Sequence, residues 1–188
     1  MEAQAIAIPG LHNRGNVLAA AAAACWYGIA PEHVAATIAA FRGLSDRLEV
    51  VRVLDGVTYI NDTTSTAPAA AVAALNSCVG PVILIAGGAD KGLDYTEMAA
   101  VAAGRARAIL LLEGTATEKL ERALCAAGAG PLVVGRFDDL DLAVQRARLL
   151  AQPGDTVLLS PGCASFGMFQ HEFERGQRFR QAVEALPG

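Results

Sequence analysis

This sequence of 188 residues has four cysteines and three histidines, and none of them is spaced as metal ligands usually are. It contains no C-x-x-C pair, which excludes the common zinc sites. The wide cysteine spacing also gives no disulfide framework. We therefore predict no metal site, and we expect all four thiols to be buried in a protein of a reducing cytoplasm.

An excess of basic residues is also missing, because the formal net charge is −4. No basic surface is expected for nucleic acid or an anionic membrane. The N-terminus reads MEAQAIAIPG and carries an acid where a secretory signal would be cationic. The apolar run over 17–30 is mostly alanine and too short to cross a bilayer. These features predict a cytoplasmic protein without membrane insertion or a nucleic-acid partner.

What the sequence does contain is 53% hydrophobic residues, arranged first as helices and then as alternating strands and helices. Residues 1–44 are helical in pattern, and Arg42-Gly43-Leu44 marks a boundary. Strands are predicted at 48–54, 57–60, 82–86, 109–112, 132–134 and 156–159, with an Asp55-Gly56 hairpin turn between the first two. Helices are predicted at 16–27, 32–41, 68–75, 95–103, 116–127, 140–150 and 169–186. The fold class is therefore α/β, with a mostly parallel sheet covered by helices on both faces and preceded by a small helical part.

Three loops that follow predicted strands carry the polar chemistry of residues 45–188. The loop 61–68 has six consecutive short polar side chains, among them Asp62, which could accept hydrogen bonds from sugar hydroxyls. The loop 87–92 combines glycines with Lys91, whose point charge suits a carboxylate or phosphate. The segment 160–176 places small residues and Ser165 before the last helix, where free N–H groups favour an anion.

Each loop also has an ordinary structural interpretation, and both interpretations stay open at this point. Short polar residues cap helices, the glycine loop could be a common left-handed turn with a solvated Lys91, and Ser165 could be a simple N-cap. The whole sequence lacks the P-loop pattern G-x-x-x-x-G-K-[ST] and the pattern G-x-G-x-x-G. It also lacks a plausible Ser–His–Asp arrangement. The pattern alone therefore predicts an anion-binding α/β domain of unknown reaction.

Five segments resemble motifs of the Mur ligases. Residues 10–16 are similar to G-x-H-N-x-x-N, and residues 41–49 are similar to F-x-G-L-x-H-R-x-E, which links the central and C-terminal domains. Residues 59–66, 85–92 and 160–176 resemble the C-terminal domain of the member that adds D-glutamate to UDP-N-acetylmuramoyl-L-alanine (UDP-MurNAc-L-Ala). The resemblance covers nearly the whole chain.

The resemblance implies a division into domains. Residues 1–44 would be the helical end of the central ATPase domain, and residues 45–188 would be the Rossmann-like domain that receives the amino acid. The P-loop and most Mg²⁺ ligands of that family are absent, so we expect a fragment that is inactive alone. Its partners would be the missing domains, UDP-MurNAc-L-Ala, D-glutamate and ATP. The implied reaction of peptidoglycan synthesis proceeds through an acyl phosphate.

Residue roles also follow from the resemblance alone, and no catalytic residue or metal ligand is expected in this chain. Asn13 and Asn16 would approach the adenine side of ATP. Arg47 and Asp62 would approach its phosphate and ribose side.

The remaining roles concern D-glutamate. Thr66 and Lys91 would face its α-carboxylate, while Ser165 and the backbone near Phe173 would hold its side-chain carboxylate. Thr64 is also expected to bind substrate.

Two positions depart from the family pattern. Thr63-Thr64 stands where many members have Ser-Lys, which removes one cationic contact to substrate. Asp46 stands where many have His, a change expected to affect the hinge more than the chemistry. Two other functions stay open: a non-catalytic module that binds an anion or amino acid, and an amide ligase of the same family with another amino-acid substrate.

Overall fold

The computed structural model of this chain describes residue 6 and residues 8–188. Residues 1–5 and Ala7, with which the predicted first domain begins, lie outside the described residues. The chain divides into two compact units, Met1–Leu44 and Ser45–Gly188. The assignment of these units to particular domains of a larger enzyme stays a prediction.

The first unit contains helix α1 (Leu11–Trp26) and helix α2 (Pro31–Ala40). Between them Gly28 has φ 91°, a conformation that glycine adopts without strain. Pro31 occupies the first turn of α2, where its missing N–H costs no hydrogen bond. Helix α1 begins at Leu11, five residues earlier than predicted, so the residues before Asn16 are also helical. Trp26, the only tryptophan, is 94% exposed.

The second unit is built on a six-stranded sheet in the order β1-β2-β6-β3-β4-β5. Its strands are β1 (Glu49–Leu54), β2 (Val57–Asn61), β3 (Val82–Gly87), β4 (Ala106–Leu112), β5 (Val133–Phe137) and β6 (Thr156–Leu159). Only the β1–β2 pairing is antiparallel. The predicted hairpin turn is confirmed, with positive φ at both Asp55 and Gly56.

Five α-helices cover the two faces of this sheet, as predicted. They are α3 (Pro68–Ser77), α4 (Thr96–Arg105), α5 (Thr117–Ala126), α6 (Leu140–Leu150) and α7 (Glu172–Glu184), with a 3-10 turn at Gly130–Leu132. Alternate strand residues point to opposite faces. Val82 and Leu84 join the core under α3, α4 and α5, while Ile83 and Ile85 join the core under α6 and α7.

Two local expectations are wrong. Helix α7 begins at Glu172 instead of residue 169, because residues 169–171 form bends and irregular backbone. The thiols of Cys78 and Cys163 are buried, but Cys25 and Cys125 are exposed. The wide spacing of the cysteines therefore did not decide which thiols are buried.

The strand order places β6 between β2 and β3. The helix after β2 packs on one face of the sheet, and the helix after β6 packs on the other. In an open α/β sheet such a reversal leaves a crevice at the carboxyl ends of the strands, where ligands commonly bind. The three polar loops follow these three neighbouring strands and share that edge.

Candidate substrate-binding site

The three loops are joined to each other by backbone hydrogen bonds. The Gly162 amide donates to the Ser65 carbonyl at 2.8 Å, which connects the loops after β6 and β2. Ala89 and Ala164 exchange two hydrogen bonds of 2.9 and 3.1 Å, which connect the loops after β3 and β6. The three loops therefore form one continuous surface, and their relative positions are fixed by the backbone.

Two of the predicted substrate residues contact each other on this surface. Lys91 Nζ donates to Thr66 Oγ1 at 3.0 Å, although the residues are 25 positions apart. Lys91 is exposed, and an ammonium group has two further N–H donors. The pair thus offers a charge and a hydroxyl side by side, an arrangement that suits one carboxylate.

Ser165 directly follows Ala164, the residue that pairs with the Lys91 loop. Its side chain is 3% exposed, and its Oγ is buried without a hydrogen-bond partner among the described residues. Its interpretation as an N-cap is wrong, because His171 caps α7 through a 3.0 Å hydrogen bond from the Glu174 amide. A buried hydroxyl without a partner costs about 1–3 kcal/mol. An anion bound at this edge could remove that cost.

Phe173 lies in the first turn of α7, and its ring is 55% exposed. Backbone N–H groups in a first turn have no partner within their helix. The Phe173 backbone amide is therefore a candidate donor to an anion, as predicted for this segment. Its side chain is largely exposed.

Asp62 lies below this surface. It is 3% exposed, and its carboxylate accepts hydrogen bonds from the hydroxyls of Ser65 and Ser160 and from the Leu48 amide. Burial raises the pKa of Asp62, and these donors together with Arg47 oppose the shift. Asp62 was expected to accept hydrogen bonds from sugar hydroxyls. In the structure, groups of the protein already donate to both of its carboxylate oxygens.

Thr64 is engaged in a similar way. Its hydroxyl donates to the Asp46 carbonyl at 2.8 Å, and its amide donates to the same carbonyl at 3.2 Å. Only the hydroxyl lone pairs remain for a ligand. Thr64 therefore fastens the start of the second unit to the β2 loop, and its expected substrate role stays a prediction.

Arg47 is exposed between two fixed neighbours. Asp46 and Leu48 have φ values of 67° and 46°, a region that side-chain-bearing residues adopt at a cost of roughly 1–3 kcal/mol each. Asp46 Oδ1 accepts hydrogen bonds from Asn61 and Arg180, both at 2.8 Å. Strained backbone that is held on both sides of an exposed arginine is typical of a functional position.

Arg175 is a residue that the sequence interpretation missed. It is 1% exposed, and its guanidinium donates to the hydroxyl and carbonyl of Thr63, at 3.0 and 2.9 Å, and to the Cys163 carbonyl at 3.4 Å. Burial lowers the pKa of Arg175 to about 10, so the group stays protonated at neutral pH. Its acceptors are uncharged oxygens, which leaves a positive charge under the edge where an anion is expected.

A signal for Arg175 was present in the sequence. Arg175, Phe179 and Val183 are spaced by four residues and therefore share one face of a helix. A charged residue on an otherwise apolar helical stripe indicates a buried and partnered side chain.

The loop glycines serve loop packing. Gly88 has φ 133°, and a β-carbon there would overlap the Ala164 carbonyl oxygen. A β-carbon at Gly114 would lie 2.8 Å from the Gly88 α-carbon. Because Gly88 and Gly114 have no side chains, the backbones of the loops after β3, β4 and β6 can touch. From the sequence, the glycines of the loop 87–92 were instead expected to let the backbone approach a ligand.

A sequence model described as "Mur ligase, glutamate ligase domain" matches residues 46–163. The chain belongs to the Mur ligase family. It is similar to the UDP-N-acetylmuramoylalanine–D-glutamate ligases of Roseiflexus sp. and Symbiobacterium thermophilum, with 54% and 47% identity over 96% of this chain. It spans 39% of the length of each of these relatives.

Solved structures support the Mur ligase fold. A murein peptide ligase from Psychrobacter arcticus matches with a TM-score of 0.59 and 22% identity, over 96% of this chain and 38% of that chain. A folylpolyglutamate synthase from Mycobacterium tuberculosis, complexed with ADP and AMPPCP, matches with a TM-score of 0.67 and 18% identity, over 96% and 42%. At these identities the likeness concerns the fold.

The first unit of this Mur ligase chain carries the two predicted adenine contacts. Asn13 is 7% exposed, and its side-chain Nδ2 donates to the Pro9 carbonyl at 2.6 Å. Asn16 is exposed and donates to Asn13 Oδ1 at 3.4 Å. The pair is ordered in the first two turns of α1, and only Asn16 presents its side chain at the surface.

The described residues contain neither a metal-binding cluster nor a membrane-spanning helix. Within residues 6 and 8–188, no group of three or more His, Cys, Asp or Glu side chains could hold a metal ion. Magnesium, which the family implies, therefore has no such cluster in this part of the chain. In the same residues, no helix is both long enough and apolar enough to traverse a lipid bilayer.

Proposed function

We propose that this chain binds D-glutamate and directs its amine at an activated carboxylate, as the amino-acid-binding part of a UDP-N-acetylmuramoyl-L-alanine:D-glutamate ligase of cytoplasmic peptidoglycan synthesis. The observation that carries the proposal is the buried, unpartnered Ser165 hydroxyl on the same loop surface as the Lys91–Thr66 pair. The names of the relatives support the choice of amino acid.

D-glutamate has two carboxylates, and the surface offers two groups of donors. In the proposal, Lys91 and Thr66 bind the α-carboxylate, while Ser165 and the Phe173 amide bind the side-chain carboxylate. The Thr64 hydroxyl has only lone pairs left, which can accept a hydrogen bond from the ligand's amine but not from its carboxylates. Charge-assisted hydrogen bonds of this kind contribute about 1.5–3 kcal/mol each. The domain then acts by holding the amine in position, which needs no nucleophile of its own.

The nucleotide part of the proposal rests on fewer contacts. Arg47 meets the ATP phosphates with an exposed guanidinium whose backbone neighbours are fixed, and Asp62 acts behind it by holding the Leu48 amide. Asn13 and Asn16, which belong to the first unit, stay the predicted adenine contacts. ATP supplies the phosphoryl group that activates the acceptor carboxylate, and Mg²⁺ is expected to be held mainly by residues outside this chain.

Ser165→Ala separates a ligand role from a structural role. The change removes a buried hydroxyl without a partner, so the free chain should become no less stable, and more stable by up to about 1 kcal/mol. D-glutamate affinity, measured by calorimetric titration, should fall roughly tenfold or more. A matched control is Ser77→Ala, since that hydroxyl donates only to the Ala73 carbonyl of its own helix. Loss of stability with unchanged affinity would contradict the proposed contact.

Lys91→Ala should weaken D-glutamate binding by roughly tenfold or more, since it removes the charge of the site. L-glutamate and D-glutamine titrated in parallel test the amino acid. Equal binding of all three would favour a general anion-binding module. In a complete ligase that contains this sequence, phosphate release should depend on ATP, UDP-MurNAc-L-Ala and D-glutamate together.

A further inference from the structure

A second lysine stands beside the Lys91 loop. Lys119, on the first turn of α5, places Nζ 3.4 Å from Asp90 Oδ2. Asp90 precedes Lys91 in the chain, and its other carboxylate oxygen accepts the Gly92 amide at 2.9 Å. The Asp90 carboxylate thus spans the Lys91 backbone through its bond to the Gly92 amide, and Lys119 on α5 pairs with its other oxygen.

A buried tyrosine supports the same arrangement. Tyr95 is 1% exposed, its hydroxyl lies 3.4 Å from Asp90 Oδ1, and Lys119 Nζ lies 5.5 Å from its ring centroid. The Cys163 thiol donates to the Tyr95 hydroxyl at 3.3 Å. This chain of contacts reaches from α5 through the Lys91 loop to the β6 loop that carries Ser165.

The electrostatic consequence concerns the net charge of the loop. Asp90 and Asp94 place two carboxylates close to Lys91 in the chain, and both would repel an anionic ligand. Desolvation opposes ionisation of Asp90, but the Gly92 amide and the Lys119 ammonium hold its pKa below the ordinary value. The pKa of Asp94 is lowered mainly by Thr96, and Lys119 adds to the effect. Both carboxylates are thus ionised at neutral pH, and the Lys119 ammonium offsets part of their negative charge.

We infer that Lys119 is a positioning residue that sets the affinity of the site for its amino-acid ligand. It neutralises Asp90 and holds the Asp90 carboxylate toward α5, so that the Lys91 ammonium faces a ligand instead of its own neighbour. The inference rests on the proposed function, because it takes the ligand to be D-glutamate bound at Lys91.

The test is D-glutamate titration of Lys119→Gln by calorimetry or by amide chemical shifts. At roughly 0.01 M ionic strength the dissociation constant should rise about two- to fivefold, the range of an exposed charge pair. At roughly 1 M salt the difference should shrink toward zero, because charges there are screened within about 3 Å. Lys119→Arg should restore affinity, since it keeps the charge.

Asp90→Asn combined with Lys119→Gln provides the decisive comparison. Removing both charges should recover much of the affinity that Lys119→Gln loses, whereas a purely structural role predicts a further loss. Arg122→Gln is the matched control, because Arg122 is an exposed residue of the same helix paired with Glu118. It should leave D-glutamate affinity unchanged.

The outcomes separate the two proposals. If the unaltered chain binds no D-glutamate, both the proposed function and this inference fail. If the unaltered chain binds and Lys91→Ala abolishes binding, but Lys119→Gln binds as the unaltered chain does at low salt, only the inference is overturned. A loss that persists unchanged at high salt would also overturn it.

Discussion

Substituting Gly176 by alanine sets two effects of opposite sign against each other. Gly176 lies inside α7, where alanine is favoured over glycine by about 1 kcal/mol. A β-carbon there would lie 2.6 Å from the Thr63 methyl carbon and closer still to an Asp46 carboxylate oxygen. Overpacking of this kind costs about 1–3 kcal/mol. It would also separate Asp46 from Arg180 and so break a charge-assisted hydrogen bond, which contributes about 1.5–3 kcal/mol.

The clash therefore exceeds the helix preference, and we expect Gly176→Ala to lower the free energy of unfolding by about 2 kcal/mol. A change of that size lowers the melting temperature by about 4–8 °C in a domain of this length. The control is Gly104→Ala in α4, where a β-carbon meets nothing within 4 Å. That variant should gain about 0.5 kcal/mol from helix propensity alone.

The assay has to report on the second unit. Trp26, the only tryptophan, belongs to the first unit, so its fluorescence would follow the wrong part of the chain. Urea unfolding monitored by far-ultraviolet circular dichroism, with amide hydrogen exchange of the β strands, avoids this problem. A Gly176→Ala variant as stable as the Gly104→Ala variant would refute the packing argument.

Two further predictions concern buried charges. Arg175→Lys keeps the charge but loses the guanidinium fork, so unfolding by urea should show a loss of about 3 kcal/mol, whereas the exposed Arg178→Lys should change stability little. The Asp62 carboxyl, followed by carbon-13 NMR, should titrate above its ordinary pKa of 3.8. Its contribution to stability is then fully present below about pH 3.8 and is lost as pH rises through the folded pKa; an Asp62→Asn variant should lack this slope.

Either prediction can fail independently of the other. If Arg175→Lys unfolds at the urea concentration of the unaltered chain, the fork to Thr63 and Cys163 is not what holds the two loops. A titration midpoint of Asp62 below 3.8 would show that its donors outweigh its burial, and the pH dependence would then reverse in sign, whereas a midpoint at 3.8 would leave no slope.

The success of sequence interpretation differs from residue to residue at the site. Lys91 was predicted from its loop and Thr66 from the family resemblance, and their side chains do meet. Asp62 was expected to accept hydrogen bonds from a sugar, because its sequence neighbours do not show that Leu48 and Ser160 supply donors from elsewhere. Arg175 was missed, although its helical spacing with Phe179 and Val183 is visible in the sequence.

The local sequence was sufficient for the α/β class, the hairpin and the existence of every strand and long helix, since periodicity and turn residues act between neighbours in the chain. It could not decide that β6 enters between β2 and β3, because strand pairing joins residues about a hundred positions apart. That pairing brings Ser165 beside the Lys91 loop and the Ser160 hydroxyl to the Asp62 carboxylate. Whether a polar group binds a ligand or the protein itself depends on such distant partners, and only the tertiary structure supplies them.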